Sequence, residues 1–299
     1  GAKNLPNPSE KKPRSITLLS TIPINLLLYS VLIIPFIIMI YLSFVGYNPA
    51  AGYNWWEAPF LGLKNFSDAL QDQRFLQALG RTMLFVGLAV GLEFLIGLLL
   101  SILMMGEFKG KRSVISILCY PLMLPWVVVG STFYLIYQNY GPINHIFLKA
   151  IFGTAPNTAW LANSTTAFLA ILTADVWQWT PFMFLILYSG LSAVPKRLVE
   201  AAEVLGASSR QIFWRIRLPL IKPLIFIAII LRSLEAFKIF DTVYIMTGGG
   251  PGTTTETISV YIYKLAIVYH DISYASAVSL IILLIIGVAS WYSIKVLTK

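Results

Sequence analysis

The chain is poor in the residues that most often do chemistry. It has one cysteine, Cys119, and two histidines, His145 and His270, among 299 residues. A single thiol excludes a disulfide within the chain, and Cys119 lies inside an apolar run, where cysteine serves as a small packing residue. The histidines fall in separate polar stretches, so no metal or acid–base constellation is readable. Charge is scarce too, at 12% of residues, roughly half the share in an ordinary soluble domain. No phosphate-binding loop is found: near Lys109, Lys111 and Arg112, the glycines Gly106 and Gly110 stand one residue too close for the Walker spacing, and no strand pattern precedes them. Neither His-Glu-x-x-His nor Gly-x-Ser-x-Gly occurs, so the common zinc- and serine-hydrolase signatures are missing.

What is present is apolar. Hydrophobic residues make up 57% of the chain and mean hydropathy is +0.75, values that point to a membrane protein. Six long apolar runs are expected to span a bilayer, over about 22–44, 82–105, 115–137, 166–191, 220–246 and 274–296. They follow a polar tail over 1–20 and form one transmembrane domain over 21–299, interrupted by a longer polar loop over 192–219. Pro121 and Pro125 fall inside the third run, where proline usually leaves a kink. The net charge of +9 comes from basic residues scattered over short loops, which fits a topology signal and not a nucleic-acid surface. With the N-terminus inside, inner segments hold 15 Lys and Arg against five outside, Lys64, Arg74, Arg81, Lys149 and Lys264. That bias predicts both termini, and the 192–219 loop, in the cytoplasm.

Two stretches break the apolar pattern. Glu93, Asp175, Arg232, Glu235, Lys238 and Asp241 are ionisable residues within apolar runs. Each costs roughly 2.5–3.5 kcal/mol at the bilayer centre on insertion scales, so each needs a partner or water. Four of them alternate in sign at steps of three in the fifth run. They read either as intrahelical pairs, Arg232 with Glu235 and Lys238 with Asp241, or as a polar wall for a hydroxylated solute. In the second reading Phe237, Phe240 and Tyr244 supply stacking surfaces. The other stretch runs from Glu200 to Pro219. Glu200–Leu205 consists of good helix formers, Gly206 suits a helix C-terminus, and Ser208 or Ser209 can cap a second piece. Ile212, Phe213 and Ile216 fall on one face of that piece. The prediction is a bent, amphipathic helical elbow.

The spacing within the elbow is specific. Glu200, Ala201 and Ala202, then Glu203, Gly206 and Ala207, then Ile216, Leu218 and Pro219 reproduce Glu-Ala-Ala, three residues, Gly, nine residues, Ile-x-Leu-Pro. This resembles the EAA loop of ABC-importer permeases. The segment Arg232 to Asp241 with Tyr244, Thr247 and the glycines up to Pro251 resembles the fifth span of carbohydrate permeases of the maltose and trehalose type. Trp177 to Phe182 resembles their fourth span, and Leu61 to Phe66 their GLxNF element. The resemblance covers about 18–299. The chain shows neither the large outer domain nor the added N-terminal spans of some maltose permeases, which points to the compact six-span type.

The resemblance implies an all-α membrane protein, a type I importer permease with six transmembrane helices and a cytoplasmic coupling helix. It implies a non-enzymatic transport subunit in the inner membrane of a bacterium or archaeon. Its expected partners are a second homologous permease, two ATPase subunits that carry ATP and magnesium, and an extracytoplasmic sugar-binding protein, with lipid around the spans. The solute is expected to be a disaccharide or oligosaccharide passing Trp177, Gln178, Glu235, Phe237, Lys238, Phe240, Asp241 and Tyr244. The competing readings are an ion-coupled secondary transporter using the buried carboxylates, or an ABC permease for glycerol-phosphate or another polar solute.

Overall fold

The computed structural model describes residues 14–154 and 158–297. The first 13 residues of the expected tail lie outside it. Among the described residues the fold is helical, and the one piece of strand-like pairing is an isolated antiparallel bridge between Val45 and Phe60. In chain order the helices are α1 (Arg14–Ser43), α2 (Lys64–Gln71), α3 (Gln73–Leu103), α4 (Lys111–Cys119), α5 (Trp126–Ile136), α6 (Lys149–Phe152) and α7 (Ser164–Ser192). They continue with α8 (Lys196–Val204), α9 (Ser209–Ile212), α10 (Leu218–Phe237), α11 (Asp241–Thr247), α12 (Ile258–Tyr263) and α13 (Ile272–Leu297).

Among the described residues four helical stretches are long and apolar enough to cross a membrane: Thr21–Ser43 of α1, α3, α7 and Ile272–Lys295 of α13. The third expected run is not straight. Lys111–Met123 and Trp126–Ile136 meet at 96°. Pro125 brings no N–H to continue a helix, and the Leu124 carbonyl at the corner accepts a hydrogen bond from Gln178 Nε2 at 3.0 Å. The fifth run departs further from expectation. Instead of one helix over 220–246, α10 stops at Phe237 and α11 starts at Asp241. The Ile239 carbonyl freed by the break accepts from Thr257 Oγ1 at 3.1 Å. Both interruptions therefore sit where a side chain from elsewhere in the bundle satisfies the exposed backbone, the condition for irregular structure at membrane depth.

α3 and α7 form the central pair. A Cβ on Gly97 would stand 2.9 Å from the Met183 Cβ and the Phe184 backbone nitrogen, so only glycine lets the two helices approach this closely. Ser101 Oγ donates across the same contact to the Phe184 carbonyl at 3.1 Å. α10 crosses both helices, and its Ala228 and Ala236 pack on Val90 and Met183. α11 lies on α5, with Val243 and Met246 joining Phe85, Val129 and Ile171 in one cluster. α1 is held mainly by its last turns, through Leu42 and Ile38 near Ile272. Its earlier turns expose Ile22 to Ile37.

At the end of the bundle opposite the α8–α9 elbow, charged groups tie the chain together. Arg74 grips Glu256 through two hydrogen bonds of 2.8 Å. Lys264 reaches the same carboxylate at 2.9 Å, and Arg81 Nε donates to the Glu256 carbonyl at 3.0 Å. Asp72 caps α3 through the Arg74 amide and also accepts from Tyr261 and Tyr274. Three of the five basic residues expected outside thus meet at Glu256, Arg74 and Lys264 on its carboxylate and Arg81 on its backbone carbonyl.

Candidate functional site

The intramembrane charges do not pair as a single helix would pair them. Arg232 bonds Glu93 of α3 twice, at 2.7 and 2.8 Å, and also bonds Asp175 of α7. Its guanidinium carbon lies 4.7 Å from the centre of the Trp179 ring. Arg232 is 1% exposed and Glu93 is fully buried. The intrahelical Arg232–Glu235 pair is replaced by a three-helix network, in which the donors of one planar guanidinium serve two buried carboxylates. Glu235 pairs instead with Lys238, at 2.9 Å, and Lys238 does not take Asp241 as its partner.

The break between α10 and α11 opens a pocket beside this network. Its wall includes Gln178, Glu235, Lys238, Phe240, Asp241 and the inner edge formed by Asp175 and Arg232. The break matters because it turns Lys238 to Asp241 out of helical register and presents them together. Phe240, Tyr244 and Tyr263 form an aromatic shelf: Phe240 stacks on Tyr244 with ring centres 5.2 Å apart, and Tyr263 lies 5.0 Å from both. The free space in the pocket is about 20 Å³, room for about one water molecule.

Of the eight residues expected along the pathway, Gln178, Glu235, Lys238, Phe240 and Asp241 line this pocket, and Tyr244 extends it through the shelf. Two are elsewhere. Phe237 is buried among Phe75, Tyr261 and Ala275 as part of the core. Trp177 packs on Phe133 with ring centres 5.5 Å apart and lines a separate apolar hollow of about 660 Å³ between α3, α4 and α7. Trp126, Trp179 and Thr242 are not among the residues expected along the pathway, yet they stand in the pocket wall. Trp179 could have been found from its place two residues after Trp177, on a different side of the same helix. Trp126 arrives only through the α5 bend.

The elbow is a second site. α8 ends in a paired hydrogen-bond motif, with the Gly206 amide donating to the Glu203 carbonyl and the Ala207 amide to the Ala202 carbonyl, both at 2.9 Å. Gly206 has φ +80°, the left-handed conformation this helix ending requires. Ser208 then caps α9, with Gln211 returning a bond to the Ser208 amide. A π-helical turn, Phe213–Arg217, carries the chain into α10. Ile212 is buried, with Phe213 and Ile216 half-buried beside it. Leu218 packs inward while Pro219 is exposed at the start of α10. Glu200, Ala201, Glu203 and Gly206 face solvent, and Ala202 and Ala207 are half-buried. Val204 and Leu205 stand 88% and 87% exposed at the tip. Among the described residues no group of three or more metal-ligating side chains occurs.

The family profile described as "Binding-protein-dependent transport system inner membrane component" matches residues 93–296, and the chain belongs to that family. It is a multi-pass integral membrane protein, the transport subunit of an ABC importer and not an enzyme. The trehalose/maltose transport system permease protein MalF of Thermococcus litoralis is 38% identical over 229 residues, 75% of each chain. The trehalose transport system permease protein SugA of Mycobacterium tuberculosis is 32% identical over 80% of this chain and 75% of its own. The sulfoquinovosyl glycerol transport system permease protein SmoG of Agrobacterium fabrum is 31% identical over 90% of this chain and 85% of its own. A subunit of a bacterial alginate ABC transporter, solved with an alginate-bound periplasmic protein, superposes with a TM-score of 0.77 at 19% identity, over 94% of this chain and 93% of that one. This last likeness is one of fold.

Proposed function

We propose that this chain is one permease half of an ATP-driven importer for a neutral disaccharide or oligosaccharide of the trehalose or maltose kind. The observation that carries the solute class is the pocket at the α10–α11 break. Carboxylates and a lysine that can bond hydroxyl groups stand there beside a stacked aromatic shelf that can cover the apolar face of a sugar ring. Three carboxylates, Asp175, Glu235 and Asp241, stand against two cations, Arg232 and Lys238, in the wall, a balance that disfavours an anion such as glycerol-phosphate. A single chain leaves space for only about one water molecule there, which supports a pathway completed by a second, related permease.

ATP and magnesium belong to two separate ATPase subunits in this reading. The elbow, placed in the cytoplasm by the distribution of basic residues, docks on them through its exposed tip and the Glu200–Ala207 face. A sugar-binding protein delivers the solute at the opposite end, and the inner membrane of a bacterium or archaeon houses the assembly. Closure of the ATPases on ATP would push the elbow, and α10 would carry that push to the pocket at its far end.

The test is a purified complex in proteoliposomes, assayed for sugar uptake and sugar-stimulated ATP hydrolysis. Replacing Gly206 with tryptophan or Glu200 with lysine is expected to lower uptake per ATP several-fold while the subunit still inserts. Normal coupled transport in both variants would overturn the docking role.

A further inference from the structure

The segment between α5 and α7 carries an apolar surface that neither the pathway nor the elbow uses. It lies at the end of the bundle opposite the elbow, because the full length of α7 separates the two. Residues Ile143–Leu148 form a π-helical turn that runs directly into α6. The piece is rigidly mounted. Asn144 is fully buried and donates to the Asn139 and Thr158 carbonyls at 2.9 and 3.0 Å, while its own side-chain oxygen accepts from Trp160 Nε1 at 2.8 Å.

Around this mount residues 144–151 sort by face at steps of four, while Phe152, one step beyond Leu148, is 68% exposed at the end of α6. Asn144 and Leu148 turn toward the protein, buried and half-buried. His145 and Lys149 are the polar, exposed pair. Phe147 and Ile151 form an apolar pair that is 60% and 69% exposed, with Ile146 beside them at 63%. A cluster of large exposed apolar side chains such as this marks a surface that lipid or another protein covers. The adjoining helices supply the continuity: Leu135 on α5 and Leu169 on α7, a helix long and apolar enough to cross a membrane, are also exposed apolar residues.

We propose that Ile143–Phe152 is an interfacial foot. It lies in the headgroup–acyl boundary of the leaflet opposite the elbow, with Ile146, Phe147 and Ile151 dipping into lipid and His145 and Lys149 facing water. Three faces with three different surroundings are what a helix at that boundary presents. The foot fixes the depth of the α5–α7 junction, and hence the height of the bent α5 that contributes Trp126 to the pocket wall.

Spin labels test this in the assembled complex in nanodiscs of phosphatidylethanolamine and phosphatidylglycerol. Single cysteines at Phe147, Ile151, His145 and Lys149, in a Cys119→Ser background, report collision with oxygen against a water-soluble nickel chelate. Labels at 147 and 151 are expected to favour oxygen several-fold over labels at 145 and 149. Equal nickel access at all four positions would put the patch in water and overturn the proposal. Low access to both reagents at 147 and 151 would overturn it in favour of a protein partner. A cysteine at Ile146 gives a second apolar position if either variant assembles poorly.

Discussion

Arg232 is one cation held by two acids from two other helices, and removing it leaves both acids buried without compensation. Breaking such a network from one side costs about 3–5 kcal/mol, whereas neutralising all its members together costs far less. Arg232→Met is therefore expected to lower the thermal stability of the detergent-solubilised complex sharply. Combining it with Glu93→Gln and Asp175→Asn should recover most of the loss. A triple variant less stable than the single one would show that the three groups do not act as a unit. The identity of these charges was legible in the sequence, because ionisable residues in apolar runs stand out. Their pairing was not. Arg232 lies 139 positions from Glu93 and 57 from Asp175, and sequence reasoning reaches only the neighbours at three or four residues. It found a local solution, and for Glu235 and Lys238 that kind of solution is the one adopted. Gly206 and Ser208 were readable for the opposite reason: helix caps are local.

At the scale of elements, the long helices were visible and the interruptions were only half visible. Pro125 signals a bend, but not its 96° angle or the Gln178 side chain that closes the Leu124 carbonyl from another helix. The break at Lys238–Phe240 has no proline or glycine to announce it, and Thr257, 18 residues away, satisfies the freed carbonyl. The far-end cluster is likewise a tertiary event. Burial raises the Asp72 carboxyl, but hydrogen bonds from Tyr261, the Arg74 amide and Tyr274 outweigh burial and hold it below its ordinary value. Burial raises Glu256 too, and Arg74 and Lys264 outweigh it in the same direction. A carboxyl lowered by folding contributes stability that is fully present above its unfolded value, about 4, and is lost as pH falls through the folded value. The melting temperature of the complex should therefore hold from neutral pH to about 5 and fall below about 4. Asp72→Asn and Glu256→Gln variants should melt lower at pH 7 and lose less on acidification. An unchanged acid slope in both would remove this cluster from the account.

At the scale of the whole molecule, three features stand apart from the packed helices. The pocket is small, the elbow tip is exposed, and α1 presents Ile22 to Ile37 at its surface. The elbow was the most legible of these features, since its spacing is fixed within 20 consecutive residues. The pocket was legible in residue type for six of the eight expected positions and illegible in shape, because Trp177 and Phe237 turn away on faces that only packing decides.

The most direct test of the central claim is what touches the elbow. A photo-activatable benzophenone amino acid in place of Leu205, irradiated in native membranes, should yield one major adduct with the mass of an ATPase subunit. Its yield should change when ATP is trapped on that subunit. An adduct formed with lipid alone, or with a protein from the far side of the membrane, would contradict the account.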